Sequence, residues 1–262
     1  MGKVREALEG MREEGRKGLI PYMVAGYPSL QESMDMIVAL QEHGAAAVEV
    51  GIPFSDPMAD GPIIQKAHAQ ALERGATPGS IMEALSQLKD TVDIPLVLMT
   101  YYNPVLRMGV ENFARKAREA GIGGAILPDL PPEEAEGWIR YAREEGLDTV
   151  FLVAPNTPLE RVKIIARVTS GFLYYLALKG VTGSVIGDMG EIERGLSQVR
   201  EVTSLPTGVG FGISNPQEAA LLAPWCNALI VGSSLLRALD EGGIEGLLEL
   251  FESLKEGLLT PL

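Results

Sequence analysis

Three carboxylates lie close together in the stretch VEVGIPFSDPMADGP, which covers residues 48–62. Glu49 stands between two valines of a predicted strand, and Asp56 and Asp60 follow in a loop rich in glycine and proline. Unpaired carboxylates are rare inside strands, because burial of the charged form is costly. We therefore expect Glu49 to serve a site at the carboxyl end of its strand, where carboxylates can transfer protons.

Each of these acids also has a simpler interpretation. Desolvation would raise the pKa of Glu49 and make it a useful acid and base near neutral pH, but Glu49 can instead be a structural carboxylate with a partner elsewhere. Asp60 directly precedes a predicted helix, so it can cap that helix as readily as act in catalysis. Asp56, before a proline, is most simply a turn residue.

The elements that position these acids alternate between strand and helix. This alternation, after a first helix over residues 2–15, indicates a parallel sheet covered on both faces. About eight units in 262 residues indicate a closed (β/α)8 TIM barrel with an extra N-terminal helix; the alternative is an open doubly wound sheet. The strands are predicted at residues 18–23, 46–51, 95–101, 123–127, 149–153, 172–176, 207–211 and 228–231.

No change in composition marks a domain boundary, so we predict one barrel domain over residues 1–262. In such a barrel the carboxyl ends of the strands and the loops that follow them form the active site. The loop over residues 180–190, with several glycines, is a candidate lid. The residues placed at the mouth are Glu49, Asp60, Tyr101, Asp129, this loop, residues 210–212 and residues 232–233.

Two glycine motifs follow the last two strands, VGFGIS after the seventh and VGSSLL after the eighth. The second motif runs into a short helix whose free N–H groups favour an anion. Barrels often hold phosphate between these two loops, so we predict a short phosphate-binding helix after the eighth strand. The alternative is that the glycines only make tight turns and that Ser233 only caps the helix.

Other residue types limit the chemistry. Imine-forming aldolases need a lysine aimed into the barrel, and no lysine lies in a predicted strand; only Lys179, in the loop after the sixth, is a remote candidate. The two histidines, His43 and His68, lie in helix-like segments and are predicted to serve packing or solvation, so no metal site is expected. No dinucleotide-binding fingerprint follows the first strand. Of the chemistries considered, these residue types therefore favour proton transfer by carboxylates.

Composition limits the partners. A net charge of −13 and a pI near 4.7 argue against nucleic acid or an anionic membrane as the main partner. The single cysteine, Cys226, cannot form an intramolecular disulfide and fits a reducing compartment. The N-terminus lacks an apolar signal core and no run is long enough to span a bilayer, so we expect a soluble cytoplasmic protein.

The acidic stretch at 48–62, with GVTG at 180–183, GFGIS at 210–214 and VGSS at 231–234, resembles the tryptophan synthase alpha chain family. The likeness starts at PYMVAGYP in the first strand and extends to the eighth. It implies a lyase of tryptophan biosynthesis that cleaves indole-3-glycerol phosphate to indole and glyceraldehyde 3-phosphate in a retro-aldol reaction. Neither metal nor imine is required, because the indole tautomer can accept the electrons.

The resemblance also implies roles for individual residues. Glu49 would protonate indole C3 as general acid and base, and Asp60 would bind the indole N–H and stabilise the developing positive charge. Thr182 and Gly183 would belong to a lid in which Thr182 contacts Asp60. The implied phosphate ligands are Gly183, Gly212, Gly232 and Ser233, and the implied pocket walls are Tyr22, Tyr101, Tyr174 and Phe211. The family often has phenylalanine at the position of Tyr22 and an aliphatic residue at that of Met99, which affects only the pocket wall.

The family works with a beta chain that binds pyridoxal phosphate and receives indole through a tunnel. The resemblance thus implies an α2β2 heterotetramer, no cofactor in this chain, and a contact near Asp56, Pro57 and residues 102–104, which we interpret as exposed proline-rich loops. A catalytically weak barrel that mainly regulates its partner is the alternative, and the Glu49/Asp60 pair favours the lyase. A ring-forming indole-glycerol-phosphate synthase would need a lysine inside the barrel.

Overall fold

The computed structural model describes residues 2–177, 189–210 and 212–259. Eight parallel strands close into a barrel in which each strand pairs with its neighbours in sequence and the last pairs with the first. This closure confirms the predicted (β/α)8 barrel, and the open sheet is wrong. The strands are β1 (Gly18–Val24), β2 (Val48–Gly51), β3 (Leu96–Met99), β4 (Gly124–Ile126), β5 (Asp148–Val153), β6 (Leu173–Leu176), β7 (Thr207–Gly210) and β8 (Ala228–Val231).

Helices surround this barrel, and the first of them precedes β1, as predicted. They are α1 (Lys3–Glu13), α2 (Leu30–Glu42), α3 (Pro62–Glu73), α4 (Pro78–Ser86), α5 (Tyr102–Met108), α6 (Val110–Glu119), α7 (Glu136–Glu144), α8 (Leu159–Val168), α9 (Met189–Val202), α10 (Pro216–Leu222) and α11 (Ser233–Leu259). Two 3₁₀ turns, Pro132–Glu134 and Ala223–Trp225, add to them. Within the described residues no helix is both long and apolar enough to cross a membrane.

The end of the barrel opposite the strand carboxyl ends is filled. Val4 and Leu8 of α1 pack against the side chains that point into the barrel, such as Ile20. Asp148, at the start of β5, accepts hydrogen bonds from the backbone N–H groups of Val4 and Arg5, at 3.0 and 3.2 Å. These bonds satisfy free donors in the first turn of α1. The plugged end leaves the opposite mouth as the place for a site.

The interpretation of residues 102–104 as an exposed loop is wrong, because they form the first turn of α5. Pro104 is tolerated there since the N–H groups of a first turn have no partner within the helix. The carboxylate of Asp129, from the loop after β4, accepts the Tyr102 N–H at 2.8 and 3.1 Å. A carboxylate distant in sequence therefore starts this helix, which local sequence does not reveal.

The helix after β8 begins at Ser233, directly after the strand. It is longer than the short helix expected there, because helical residues continue to Leu259. Gly243 interrupts them with a φ of 65°, a conformation that glycine adopts without steric cost. The predicted short helix is thus the first segment of a region broken at Gly243.

Candidate active site

Glu49 points into the barrel, as strand alternation predicts. Ala47, two residues earlier, packs in the inner apolar cluster, whereas Val48 and Val50 pack in the outer one. The side chain of Glu49 is only 1 % exposed, and it lines a cavity of about 560 Å³. Asp60 lines the same cavity, so two of the three acids of the sequence motif converge on one space.

The environment of Glu49 favours its protonated form. Both carboxyl oxygens are buried, and among the described residues neither has a hydrogen-bond partner. Burial, followed by the negative charge of Asp60, raises the pKa of Glu49 from 4.5 to about 8. The described part of the chain supplies no partner for a structural carboxylate. A carboxyl group with this pKa holds a proton at neutral pH and can release it within the cavity.

This raised pKa predicts a pH-dependent difference in stability between the wild type and Glu49→Gln. The folded chain keeps the Glu49 proton up to about pH 8, whereas the unfolded chain releases it near 4.5. Binding of this proton therefore stabilises the fold fully below the pKa that Glu49 has in the unfolded chain. This stabilisation is lost as the pH rises through the pKa that Glu49 has in the folded chain. The whole loss is on the order of 5 kcal/mol.

Glutamine stays neutral at every pH, so the variant lacks this loss. Urea unfolding of both proteins should show the variant gaining stability over the wild type between about pH 5 and about pH 8. Titrating groups that do not interact with Glu49 are shared by both proteins and cancel in the difference. A difference that stays constant over this range would show that Glu49 has an ordinary pKa.

Asp60 is held by side chains and does not cap α3. The N-cap of that helix is Gly61, and within the described residues it has no side-chain capping hydrogen bond. Instead, the Tyr101 hydroxyl donates to Asp60 Oδ2 at 2.9 Å and accepts the Ala59 N–H at 2.9 Å. The capping interpretation of Asp60 is therefore wrong. The side chain of Asp60 is 6 % exposed, so its charge acts in a poorly solvated space.

Of the three tyrosines predicted to form pocket walls, two line the cavity and the third lies behind Asp60. Tyr22 and Tyr174 line the cavity. Burial first, and then the charges of Glu49 and Asp60, raise the pKa of each well above its usual value, so both keep their hydroxyl protons. Tyr101 lies behind Asp60, with its ring stacked on Phe54 at 5.1 Å between centroids, and it supports the carboxylate.

The glycine motifs after β7 and β8 meet at the same cavity. Gly212, Gly232 and Ser233 all line it together with Glu49. Gly212 has a φ of 50°, and a Cβ on Gly232 would lie 2.9 Å from Cδ1 of Tyr22, so both positions favour glycine. The Ser234 hydroxyl donates to the Ile213 carbonyl at 2.5 Å and joins the two loops.

Three predicted site residues, Thr182, Gly183 and Phe211, lie outside the described residues, as does most of the candidate lid over residues 180–190. Sequence reasoning missed His68, which it assigned to packing or solvation. This side chain is buried on α3, and its Nε2 lies 3.5 Å from Asp60 Oδ2. The sequence signal was its place on the helix directly after the acidic loop. In the structure Ile64, one helical turn earlier on the same face, lines the cavity.

Comparison with known proteins gives one consistent result. A sequence model described as tryptophan synthase alpha chain matches residues 8–256. The tryptophan synthase alpha chain of Halorhodospira halophila is 44 % identical over 261 residues, which is 99 % of this chain and 95 % of that protein. The one from Trichodesmium erythraeum is 40 % identical over 264 residues, 98 % of this chain and 100 % of that protein.

Solved structures agree with the sequence relatives. A chain in a crystal structure of tryptophan synthase from M. tuberculosis superposes with a TM-score of 0.90 at 35 % identity, over 98 % of this chain and 99 % of that chain. The alpha subunit from Legionella pneumophila gives 0.90 at 34 % identity, over 98 % of both chains. The chain belongs to the tryptophan synthase alpha chain family, the lyases that cleave indole-3-glycerol phosphate in tryptophan biosynthesis.

Proposed function

We propose that Glu49 is the general acid and base of this cleavage and that Asp60 is the carboxylate that binds the indole N–H. The observation that carries the proposal is the shared cavity. It combines a buried carboxyl group whose pKa is raised to about 8 with a second carboxylate and two glycine-containing loops. A small molecule with an indole ring at one end and a phosphate at the other matches these features.

The reaction balances with Glu49 alone as the proton carrier. Protonated Glu49 gives its proton to indole C3, and the ring becomes positively charged. The carboxylate left behind takes the proton of the side-chain hydroxyl next to the ring. The bond from C3 to the side chain then breaks, its electrons return to the ring, and indole and the aldehyde form. Asp60 stabilises the ring cation through the ring N–H. Proton transfer by Glu49 can contribute about 10²–10⁴ in rate, and the charge of Asp60 about 10²–10³.

The phosphate end of the proposal rests on Gly212, Gly232 and Ser233, with Gly183 as a fourth ligand implied by the family motif. Ser233 starts α11, so backbone N–H groups of the first turn are free to bind an anion. The net charge of −13 gives no general attraction for phosphate. These local groups must therefore hold it.

Ser233→Asp tests this end of the cavity. A carboxylate beside the phosphate should raise KM by about 10–10²-fold through charge repulsion, with a smaller effect on kcat because the acids are untouched. Steady-state kinetics of indole release separate the two constants. Ser86→Asp, at the end of α4 on the surface, introduces the same charge away from the cavity and should leave KM unchanged. An unaltered KM in Ser233→Asp would remove Ser233 from the phosphate site.

Further parts of the proposal come from the family. We infer that the chain acts as a single barrel domain in the cytoplasm. We also infer that it assembles with a tryptophan synthase beta chain into an α2β2 complex. Pyridoxal phosphate would then belong to the partner, and this chain would use no cofactor of its own. Met58 and Leu106, 87 % and 54 % exposed, lie near the expected contact at Asp56 and residues 102–104 and fit a surface that a partner covers.

The direct test of the function is release of indole from indole-3-glycerol phosphate by the purified chain, alone and with a beta chain. We expect indole in both assays, with more in the presence of the partner. Absence of indole in both would contradict the proposal and leave the role of a regulatory barrel, which neither the family assignment nor the Glu49/Asp60 pair favours.

A further inference from the structure

His68 is a buried, polar side chain for which the cleavage mechanism has assigned no role. It lies on α3, only 3 % exposed, and touches three separate parts of the site. These are the backbone of the loop that carries Asp60, the hydroxyl of Tyr22 on β1, and the carboxylate of Asp60 itself. A side chain that serves packing alone does not require such a set of polar contacts.

The contacts define the protonation of the ring. The backbone N–H of Phe54 donates to Nδ1 of His68 at 3.1 Å. A nitrogen that accepts a hydrogen bond carries no proton, so the ring is neutral and its proton is on Nε2. Nε2 lies 3.2 Å from the Tyr22 hydroxyl oxygen and 3.5 Å from Asp60 Oδ2. The Nε2–H thus donates to the Tyr22 hydroxyl oxygen, and Asp60 Oδ2 lies beside it at a distance longer than a normal hydrogen bond.

The carboxylate of Asp60 is held on one side. Both described side-chain contacts, from Tyr101 and from His68, fall on Oδ2. The Tyr101 hydroxyl accepts the Ala59 N–H, so its own proton is free to point at Oδ2. One hydrogen bond, from Tyr101, and the neighbouring Nε2 of His68 therefore both lie on the Oδ2 side of the carboxyl group.

A neutral ring suits this place better than a charged one. Under the proposed mechanism Asp60 stabilises a positive charge on the indole ring. An imidazolium ion 3.5 Å from Oδ2 would offset the charge of Asp60 and weaken that effect. A neutral Nε2–H orients the carboxylate without cancelling its charge. The Phe54 N–H donates to Nδ1, which leaves Nε2 as the donor of the ring.

We propose that His68 is a positioning residue for the cleavage reaction, which orients Asp60 and Tyr22 through a neutral ring protonated on Nε2. The inference rests on the proposed role of Asp60 and extends it to a residue that does not touch the substrate. The side chain that orients Asp60 thus belongs to α3, the helix that follows the acidic loop, about two turns after the start of that helix.

Two substitutions separate the two nitrogens of the ring. In His68→Asn the amide oxygen can take the place of Nδ1 and keep the Phe54 contact, but the Nε2 donor beside Tyr22 and Asp60 is lost, while Asp60 keeps its bond from Tyr101. In His68→Gln the amide nitrogen can take the place of Nε2 and keep the donor. We expect His68→Asn to lower kcat about 10-fold, the effect of losing one buried hydrogen bond, here the one between Nε2 and the Tyr22 hydroxyl. KM should stay near the wild-type value, and His68→Gln should recover most of kcat.

His43→Asn is the matched control, since His43 is the other histidine of the chain and its ring contacts the Ala39 carbonyl and Glu252, away from the cavity. It should leave both constants unchanged. The concentration of folded sites is set by titration with a non-cleavable indole-alkyl phosphate, so that kcat refers to competent enzyme. If His68→Asn keeps wild-type kcat, or if His68→Gln loses as much as His68→Asn, the inference is overturned.

A measurement on the wild type covers the case in which the variants do not fold. The ¹⁵N chemical shifts of His68 should report an unprotonated Nδ1 and a protonated Nε2 at the pH of the assay. Two protonated nitrogens, or the opposite tautomer, would overturn the inference. The proposed function fails separately, because it depends on indole release by the wild type; a wild type that releases indole, with His68→Asn equal to it, would overturn the role of His68 alone.

Discussion

Glu49→Gln is expected to lower kcat for indole release by about 10²–10⁴-fold, the range for loss of a positioned acid and base. The amide has nearly the shape of the protonated carboxyl group, but it cannot give a proton to indole C3. KM should change little, because the phosphate loops and the cavity walls are unaltered. The measurement is steady-state indole release by the isolated chain, with folded sites counted by analogue titration.

The same substitution at Glu73, which lies exposed at the end of α3, provides the control and should leave kcat unchanged. Glu49→Gln should also fold normally, because the carboxyl group that it replaces is buried and has no hydrogen-bond partner among the described residues. Near wild-type turnover in Glu49→Gln would show that some other group carries the proton.

Asp60→Asn is expected to lower kcat by about 10²–10³-fold, as the removal of a preorganised electrostatic contact does in other enzymes. The amide oxygen can still accept from Tyr101, so the side chain stays in place while its charge is lost. The positive ring then forms without the negative charge of Asp60 beside its N–H. Steady-state indole release, measured across a range of pH, tests both the size of the decrease in kcat and its electrostatic origin.

A second effect distinguishes Asp60 from a structural residue. The charge of Asp60 contributes to the raised pKa of Glu49, so its removal should let Glu49 lose its proton at lower pH. The pH at which activity declines should move down with it. Asp56→Asn, on an exposed residue of the same loop, should show neither effect in the isolated chain. A lower melting temperature with unchanged kcat would make Asp60 a purely structural residue.

Periodicity predicted the parts of the fold that depend on local pattern. Alternation along VEV places Glu49 inside the barrel, because Val48 and Val50 need the outer apolar layer. Regular repetition of strand and helix predicts the closed sheet. The glycines after β7 and β8 could be assigned to one site because parallel strands bring their carboxyl ends to one edge.

The features that the sequence did not predict depend on contacts between distant parts of the chain. The start of α5 depends on Asp129, more than twenty residues away. Without that contact, Pro104 indicates a turn and not a helix. The position of Asp60 before a helix fits a capping role as well as a catalytic one. Its hydrogen bond from Tyr101, which the sequence does not show, excludes the capping role. His68 has the spacing of a packing residue, and its role appears only with Phe54 and Tyr22 beside it.

The most direct test is a crystal structure of the chain with a non-cleavable indole-alkyl phosphate. The Glu49 carboxyl group is expected within about 3–3.5 Å of indole C3, the approach that proton transfer requires. Asp60 should accept the indole N–H, and the phosphate should lie on the N–H groups near Gly212, Gly232 and Ser233. A ligand bound with its ring away from Glu49, or with its phosphate outside these loops, would contradict the assignment of Glu49 as the acid and base.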